Sequence, residues 1–137
     1  MSDIVYMPCH PEHIRYINPQ EHDKLVQSVY LRPGYHHVIT ENFSMSAWVK
    51  NRCVCAAGIT ECVDGTYLAW SVIGKDAGPY LRQLLRKIRA ALDLHHTDVY
   101  MTTPKTFKHG CQMALMLGFQ FLKPVGDENI YWRPKHG

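Results

Sequence analysis

The 137-residue chain is 46% hydrophobic and 11% aromatic, with a formal net charge of +3 and a pI near 8.6. That length supports one core burying roughly two-thirds of the unfolded surface. The mildly basic balance falls short of a nucleic-acid-binding charge, and no apolar run reaches the ~18 residues of a membrane span. Five cysteines, with no basic region followed by an apolar stretch at the N-terminus, predict reduced thiols and a cytoplasmic protein. No repeat, low-complexity tract or Gly/Ser linker interrupts the sequence, which predicts a single domain over residues 1–137.

In chain order, "IVYMPC" (4–9) predicts a first strand, stopped by Pro8 and Pro11. Pro11 suits a helix first turn, and Glu12, Ile14 and Ile17 carry a short helix to Asn18. "NPQEHDKLVQSVYL" repeats the pattern, with Asn18 as N-cap, Pro19 as first helical residue and Leu25, Val26 and Val29 as apolar face. A turn follows in "RPGYHH" (32–37). Two strands, "SMSAWVK" (44–50) and "CVCAAGITEC" (53–62), are joined at Asn51 and Arg52, and an Asp64-Gly65 hairpin leads to a third, "YLAWSVI" (67–73).

From Pro79 the period becomes helical: Leu81, Leu84, Leu85, Ile88 and Leu92 share one face, with Arg82, Arg86, Lys87 and Arg89 on the remaining surface. "TDVYMTT" (97–103) predicts a buried strand, and "PKTFKHGCQMALMLG" (104–118) a helix that begins at Pro104 and is ended near Leu117 by Gly118. Phe119, Phe121 and Lys123 alternate with Gln120 and Leu122 in a short strand closed by Pro124, and "NIYWRP" (129–134) is the last strand. The predicted order is β α α β β β α β α β β, a mixed, mostly antiparallel α/β sheet flanked by helices.

Several groupings invite a chemical reading. Cys9, His10 and His13 with Cys53, Cys55 and Cys62 carry zinc-binding atoms, but C-x-C in a strand lacks the bend of a zinc knuckle, so core thiols are predicted and no metal. His109 and Cys111 lie two apart on a helix and do not face each other. The pairs His36-His37 and His95-His96 fall in or beside loops as solvated residues. Arg82, Arg86 and Arg89 form a basic stripe that reads as a solvated face; an acidic partner, nucleic acid or a phosphate are the other readings, and no nucleic-acid-binding motif accompanies it. Trp48, Trp70 and Trp132 sit in strands at positions able to bury large area, and Tyr80, Leu81 and Leu84 fall where a helix packs on a sheet.

The element order resembles that of the GNAT acyltransferases over essentially the whole chain. Leu117, Gly118 and Phe119 match the aliphatic-Gly-Phe ending of that family's last helix, "VYMPCHPEHI" its first strand and short helix, and "YLAWSVIGKDAGPYLRQLL" its fourth strand, pyrophosphate loop and central helix. More narrowly, the small size, the "NPQEHDKL" helix and the altered loop are similar to GNAT-like internal virion proteins of short-tailed bacteriophages. The resemblance implies acetyl-CoA as cofactor and an amine-bearing acceptor, a small molecule or a protein. It places the pantetheine arm along Trp70, Ser71, Val72 and Ile73, the phosphates at Lys75, Gly78, Tyr80 and Arg82, and Thr102 on the facing strand. Glu61 is the implied general base. The chain departs from the family at three points: "KDAGPY" (75–80) replaces Q/R-x-x-G-x-G/A with Tyr80 at the last small position, Ala114 stands where a tyrosine acid is usual, and Phe107 replaces an asparagine. The narrower resemblance implies a non-catalytic phage protein with a virion or host protein as partner.

Overall fold

A computed structural model of the chain describes residues 4–19 and 43–135. The helix expected from Asn18 lies, beyond Pro19, outside the described residues, as does the turn at 32–37. The described elements are β1 (Val5–Pro8), α1 (Pro11–Arg15), β2 (Phe43–Val49), β3 (Arg52–Glu61), β4 (Tyr67–Ile73), a 3-10 turn (Lys75–Tyr80), α2 (Leu81–Asp93), β5 (Val99–Pro104), α3 (Lys108–Met116), β6 (Gln120–Val125) and β7 (Glu128–Arg133). The seven strands follow the order β1-β2-β3-β4-β5-β7-β6. Described pairings are antiparallel except β4 with β5, which run parallel over Tyr67–Leu68 and Val99–Tyr100. Among the described residues no helix is long and apolar enough to cross a membrane.

The chain divides into two compact units, residues 1–60 with 70–84, and residues 61–69 with 85–137. In the first, β1, β2 and β3 form an antiparallel ladder. The β2–β3 turn is Lys50-Asn51, both with positive φ (47° and 68°), so Arg52 belongs to β3 opposite Val49, one residue earlier than the expected joint. A two-residue turn with this handedness matches the twist of its strands, and asparagine tolerates it. Residues Cys53 to Ile59 are buried without alternation, so β3 is covered on both faces. Its core gathers Cys9, Ile14, Ile17, Cys53, Ala56, Trp70 and Val72, with Trp48 packed against it. Gly58 is required here: a Cβ would stand 2.7 Å from the Phe43 carbonyl oxygen and from the Trp70 ring.

In the second unit, Asp64 organises the hairpin turn by accepting from the Thr66 N–H (3.0 Å) and hydroxyl (2.7 Å). Three expected boundaries shift. Pro104 is the last residue of β5, opposite Glu128, rather than the first of a helix; α3 starts at Lys108 after a turn closed by the Phe107 N–H on the Pro104 carbonyl. Pro124 lies inside β6, which continues to Val125, because β6 ends the strand order and an edge position has no need of the missing N–H. Helix α2 begins at Leu81, not Pro79, because the residues before it wind into the 3-10 turn. As expected, Gly118 (φ 93°) stops α3, which ends at Met116 with Leu117 as its C-cap. The buried Arg133 caps both helices: Nε donates to the Leu117 carbonyl (3.0 Å), Nη1 to that of Leu92 (3.1 Å), and Nη2 pairs with Asp93.

Candidate functional site

The segment Trp70–Arg82 carries most of the expected site residues within the first unit. Its strand half is anchored from inside: Trp70, Val72 and Ile73 are buried, Ser71 half-buried. Trp70 and Val72 are core residues, so on these positions only backbone groups are on offer to a ligand. Gly74 follows at a crowded crossing, where its N–H donates to the Val54 carbonyl (2.9 Å) and an added Cβ would lie 3.1 Å from that oxygen, 3.2 Å from the Asn18 oxygen and 3.1 Å from Ile17. Its φ of −75° is ordinary, so glycine is needed for space alone. Pro19 bridges to Gly74, and the Lys75 N–H donates to the Asn18 carbonyl (2.8 Å). The loop is thereby tied to the end of the α1 segment.

Beyond Lys75 the chain closes on itself. Ala77 is buried and its N–H returns to the Gly74 carbonyl (3.1 Å), the Leu81 N–H reaches Gly78, and Pro79 has no N–H to give. A 3-10 turn directs its amides three residues back, so few remain for an anion. The positive groups are side chains: Lys75 and Arg82 are exposed, Tyr80 half-buried. Asp76 is countered by Arg52, whose Nη1 lies 3.5 Å from its carboxylate. Gly78 is open, with nothing within 4 Å of a Cβ placed there.

Two expected residues lie in the second unit. Glu61 is exposed at the end of β3, and Thr102 is exposed on β5 opposite Ile130, between buried Met101 and Thr103. The departures from the family pattern have structural roles there: Ala114 is fully buried in α3, and Phe107 is the residue before that helix, its ring filling the space beside Gly110. Leu81, expected to pack inward, is 38% exposed, while Leu84 is buried. His95 is not simply solvated; its ring meets Tyr67 edge-on at 4.8 Å.

One network had no signal in the spacing. The buried Ser46 hydroxyl accepts from Trp48 Nε1 (2.9 Å) and meets His13 Nδ1 (2.9 Å), which also accepts the His10 N–H (3.1 Å). Because Nδ1 accepts a backbone donor, Ser46 must donate to it, and neutral His13 carries its proton on Nε2. With both its roles used and no exposure, Ser46 is a structural group rather than a nucleophile. Burial, and then the neighbouring His10, hold the His13 pKa below its ordinary value. Burial first and Cys53 second push the Cys9 thiol up to about 12, and burial pushes Cys53 up to about 11. The five cysteines are free thiols, and among the described residues no three His, Cys, Asp or Glu groups gather as metal ligands.

No family model matches the sequence, and no curated protein does at a significant level. Solved structures do match. An acetyltransferase of the GNAT family from Staphylococcus aureus Mu50 superposes with a TM-score of 0.69 at 15% identity, covering 96% of this chain and 98% of that one. The chain has the GNAT fold. A GNAT acetyltransferase from Bacillus cereus ATCC 10987 matches at 13% identity, 99% and 100% coverage and TM-score 0.65. The PaiA N-acetyltransferase from Thermoplasma acidophilum, solved in complex with coenzyme A, matches at 12% identity, 98% and 99% coverage and TM-score 0.64. At these identities the likeness is one of fold, and it lends no support to the phage resemblance. Coenzyme A, the cofactor this fold implies, is tested by the loop itself: bare space over Gly78 and the exposed cations Lys75 and Arg82 suit a diphosphate, while the amides of Lys75 and Ala77 are already engaged. The residues fit the group through side-chain charge more than through backbone donors.

Proposed function

We propose that the protein is a GNAT-type N-acyltransferase that transfers an acetyl group from acetyl-CoA to an amine-bearing acceptor. The observation that supports it best is the run from β4 through Gly74 to the first turn of α2, with open Gly78 flanked by Lys75 and Arg82 and the charge of Asp76 offset by Arg52. When bound, acetyl-CoA supplies a thioester carbonyl as electrophile and a thiolate as leaving group. Lys75, Tyr80 and Arg82 would hold the diphosphate, the two cations meeting its charge, and the start of α2 would add its dipole. Backbone groups from Trp70 to Ile73 would hold the pantetheine arm, and an N–H near Ser71 would polarise the thioester oxygen. Thr102 is assigned to the facing side of the arm. Glu61 takes the proton from the acceptor ammonium, directly or through water, so that the neutral amine attacks. No side chain is assigned to protonate the departing thiolate, Ala114 being a methyl group in the core.

The engaged amides of the 3-10 turn favour a second reading, a GNAT-fold protein without catalysis. A thermal-shift titration with acetyl-CoA, CoA and an ATP control separates the two. A ligand specific to the folded state adds about 2.7 kcal/mol at one hundred times its dissociation constant, several degrees for a domain of this size. A rise with both CoA species and none with ATP is expected; no rise at millimolar CoA sinks the enzyme reading. With an acceptor in hand, Glu61→Gln is expected to lower kcat by about 10²–10⁴-fold. A wild-type rate in that variant removes Glu61 from the mechanism.

A further inference from the structure

Helix α1 is five residues long, and imidazoles supply both side-chain acceptors of its capping box. His10 Nδ1 accepts the Glu12 N–H (3.1 Å), and His13 Nδ1 accepts the His10 N–H (3.1 Å). A serine or asparagine cap works at any pH, and a glutamine can make the return bond; a histidine does either only while neutral, because protonation turns Nδ1 into a donor facing a donor. What the cap holds is central to the first unit. Pro11, Ile14 and Ile17 are buried, and three residues beyond the last of the helix, Arg15, the Asn18 carbonyl holds the Lys75 amide while Pro19 bridges Gly74.

We propose that the α1 capping box is an acid-released latch held by His13: protonation of His13 turns the acceptor of the His10 N–H into a donor facing it and reverses the Ser46 hydrogen bond, which loosens the α1 segment and frees the Gly74–Lys75 loop from Asn18 and Pro19. Among the described residues, the surroundings do little to compensate the charge. The two imidazoles lie 5.9 Å apart between centroids, and β2 presents Ser46 and the edge-on Trp48 ring at 5.2 Å. On the helix itself, Glu12 is already paired with Arg15 at 3.0 Å, and Tyr16 lies over Trp48. Behind His10 stands the Cys9 thiol, which donates to the His10 carbonyl (3.4 Å) and, like neighbouring Cys53, is neutral in the working range. The sign follows from His13, whose folded pKa lies below its unfolded value near 6.5. The latch therefore contributes fully above that pH and is lost as pH falls through the folded value. What loosening does to a cofactor rests on the acyl-CoA reading. The latch is tested with no cofactor present, so either can fail alone.

The test is amide hydrogen exchange of the full chain at pH 7.5 and 5.5, corrected for intrinsic rates, on the segments 10–19 and 71–78 and on β5 as reference. In wild type, protection of both segments is expected to fall by up to about tenfold per pH unit for the one proton His13 takes up on opening, with β5 unchanged. The double variant His10→Asn, His13→Gln keeps the acceptors without the titration and is expected to show no pH-dependent loss. His13→Gln alone serves if the double variant folds poorly, and should likewise remove the loss. Unchanged wild-type protection at pH 5.5, an equal fall in the variant, or a uniform fall that includes β5 would each overturn the latch.

Discussion

Single glycines show how differently one residue type is used along this chain. At Gly74 the backbone is unstrained but walled in by the Val54 and Asn18 oxygens, whereas at Gly78 the space is empty. Gly74→Ala is therefore expected to cost about 1–3 kcal/mol, read as a lower urea midpoint with unchanged slope. Gly78→Ala is expected to leave stability unchanged or raise it by up to about 1 kcal/mol, by restricting the unfolded chain. If the diphosphate passes over Gly78, that same variant weakens CoA binding despite its intact fold, and calorimetry with CoA separates the two effects. Equal affinity in Gly78→Ala and wild type would move the diphosphate elsewhere.

At the level of elements, the loop between β4 and α2 is where sequence reasoning and structure part. The strand Tyr67–Ile73 was legible to the residue, because its apolar run is bounded by Asp64-Gly65 and Gly74. The 3-10 turn was not, because its cause is distant: Asn18 captures the Lys75 amide and Gly74 fits a slot made by Val54 and Ile17, none of them neighbours in sequence. The same holds for Asp76, whose charge looks adverse beside a phosphate until Arg52 is found against it. Asp76→Asn is expected to strengthen CoA binding several-fold in low salt and to fade in high salt, with stability altered by less than about 0.5 kcal/mol because the pair is exposed. An affinity that ignores both the substitution and the salt would argue against a diphosphate at this turn. Helices α2 and α3 were legible in their interiors and misplaced at their starts, since prolines 79 and 104, which often open helices, here lie in the 3-10 turn and at the end of β5. The Ser46, His13 and Trp48 network could not be read from spacing, because a fold contact brings together residues 33 apart.

Over the whole molecule, the five thiols report the integrity of the fold. Cys9, Cys53 and Cys55 are buried, and the first two are held far from ionisation, so neither of those two offers a thiolate at neutral pH. Brief treatment with a thiol reagent at pH 7.5 is expected to modify Cys62 and Cys111 at most, with the buried three labelled only in denaturant; mass spectrometry of the peptides decides. Rapid labelling of Cys9 or Cys53 in native buffer would mean that the first unit opens far more readily than its packing implies. The second unit has its own keystone in Arg133, which reaches the carbonyl ends of both α2 and α3. During synthesis both helices emerge before this residue does. While residues up to 117 have emerged and Arg133 has not, the chain thus displays two helices with ragged, hydrated ends and no β7 to rest on, and emergence of that last strand is the event that allows the unit to lock.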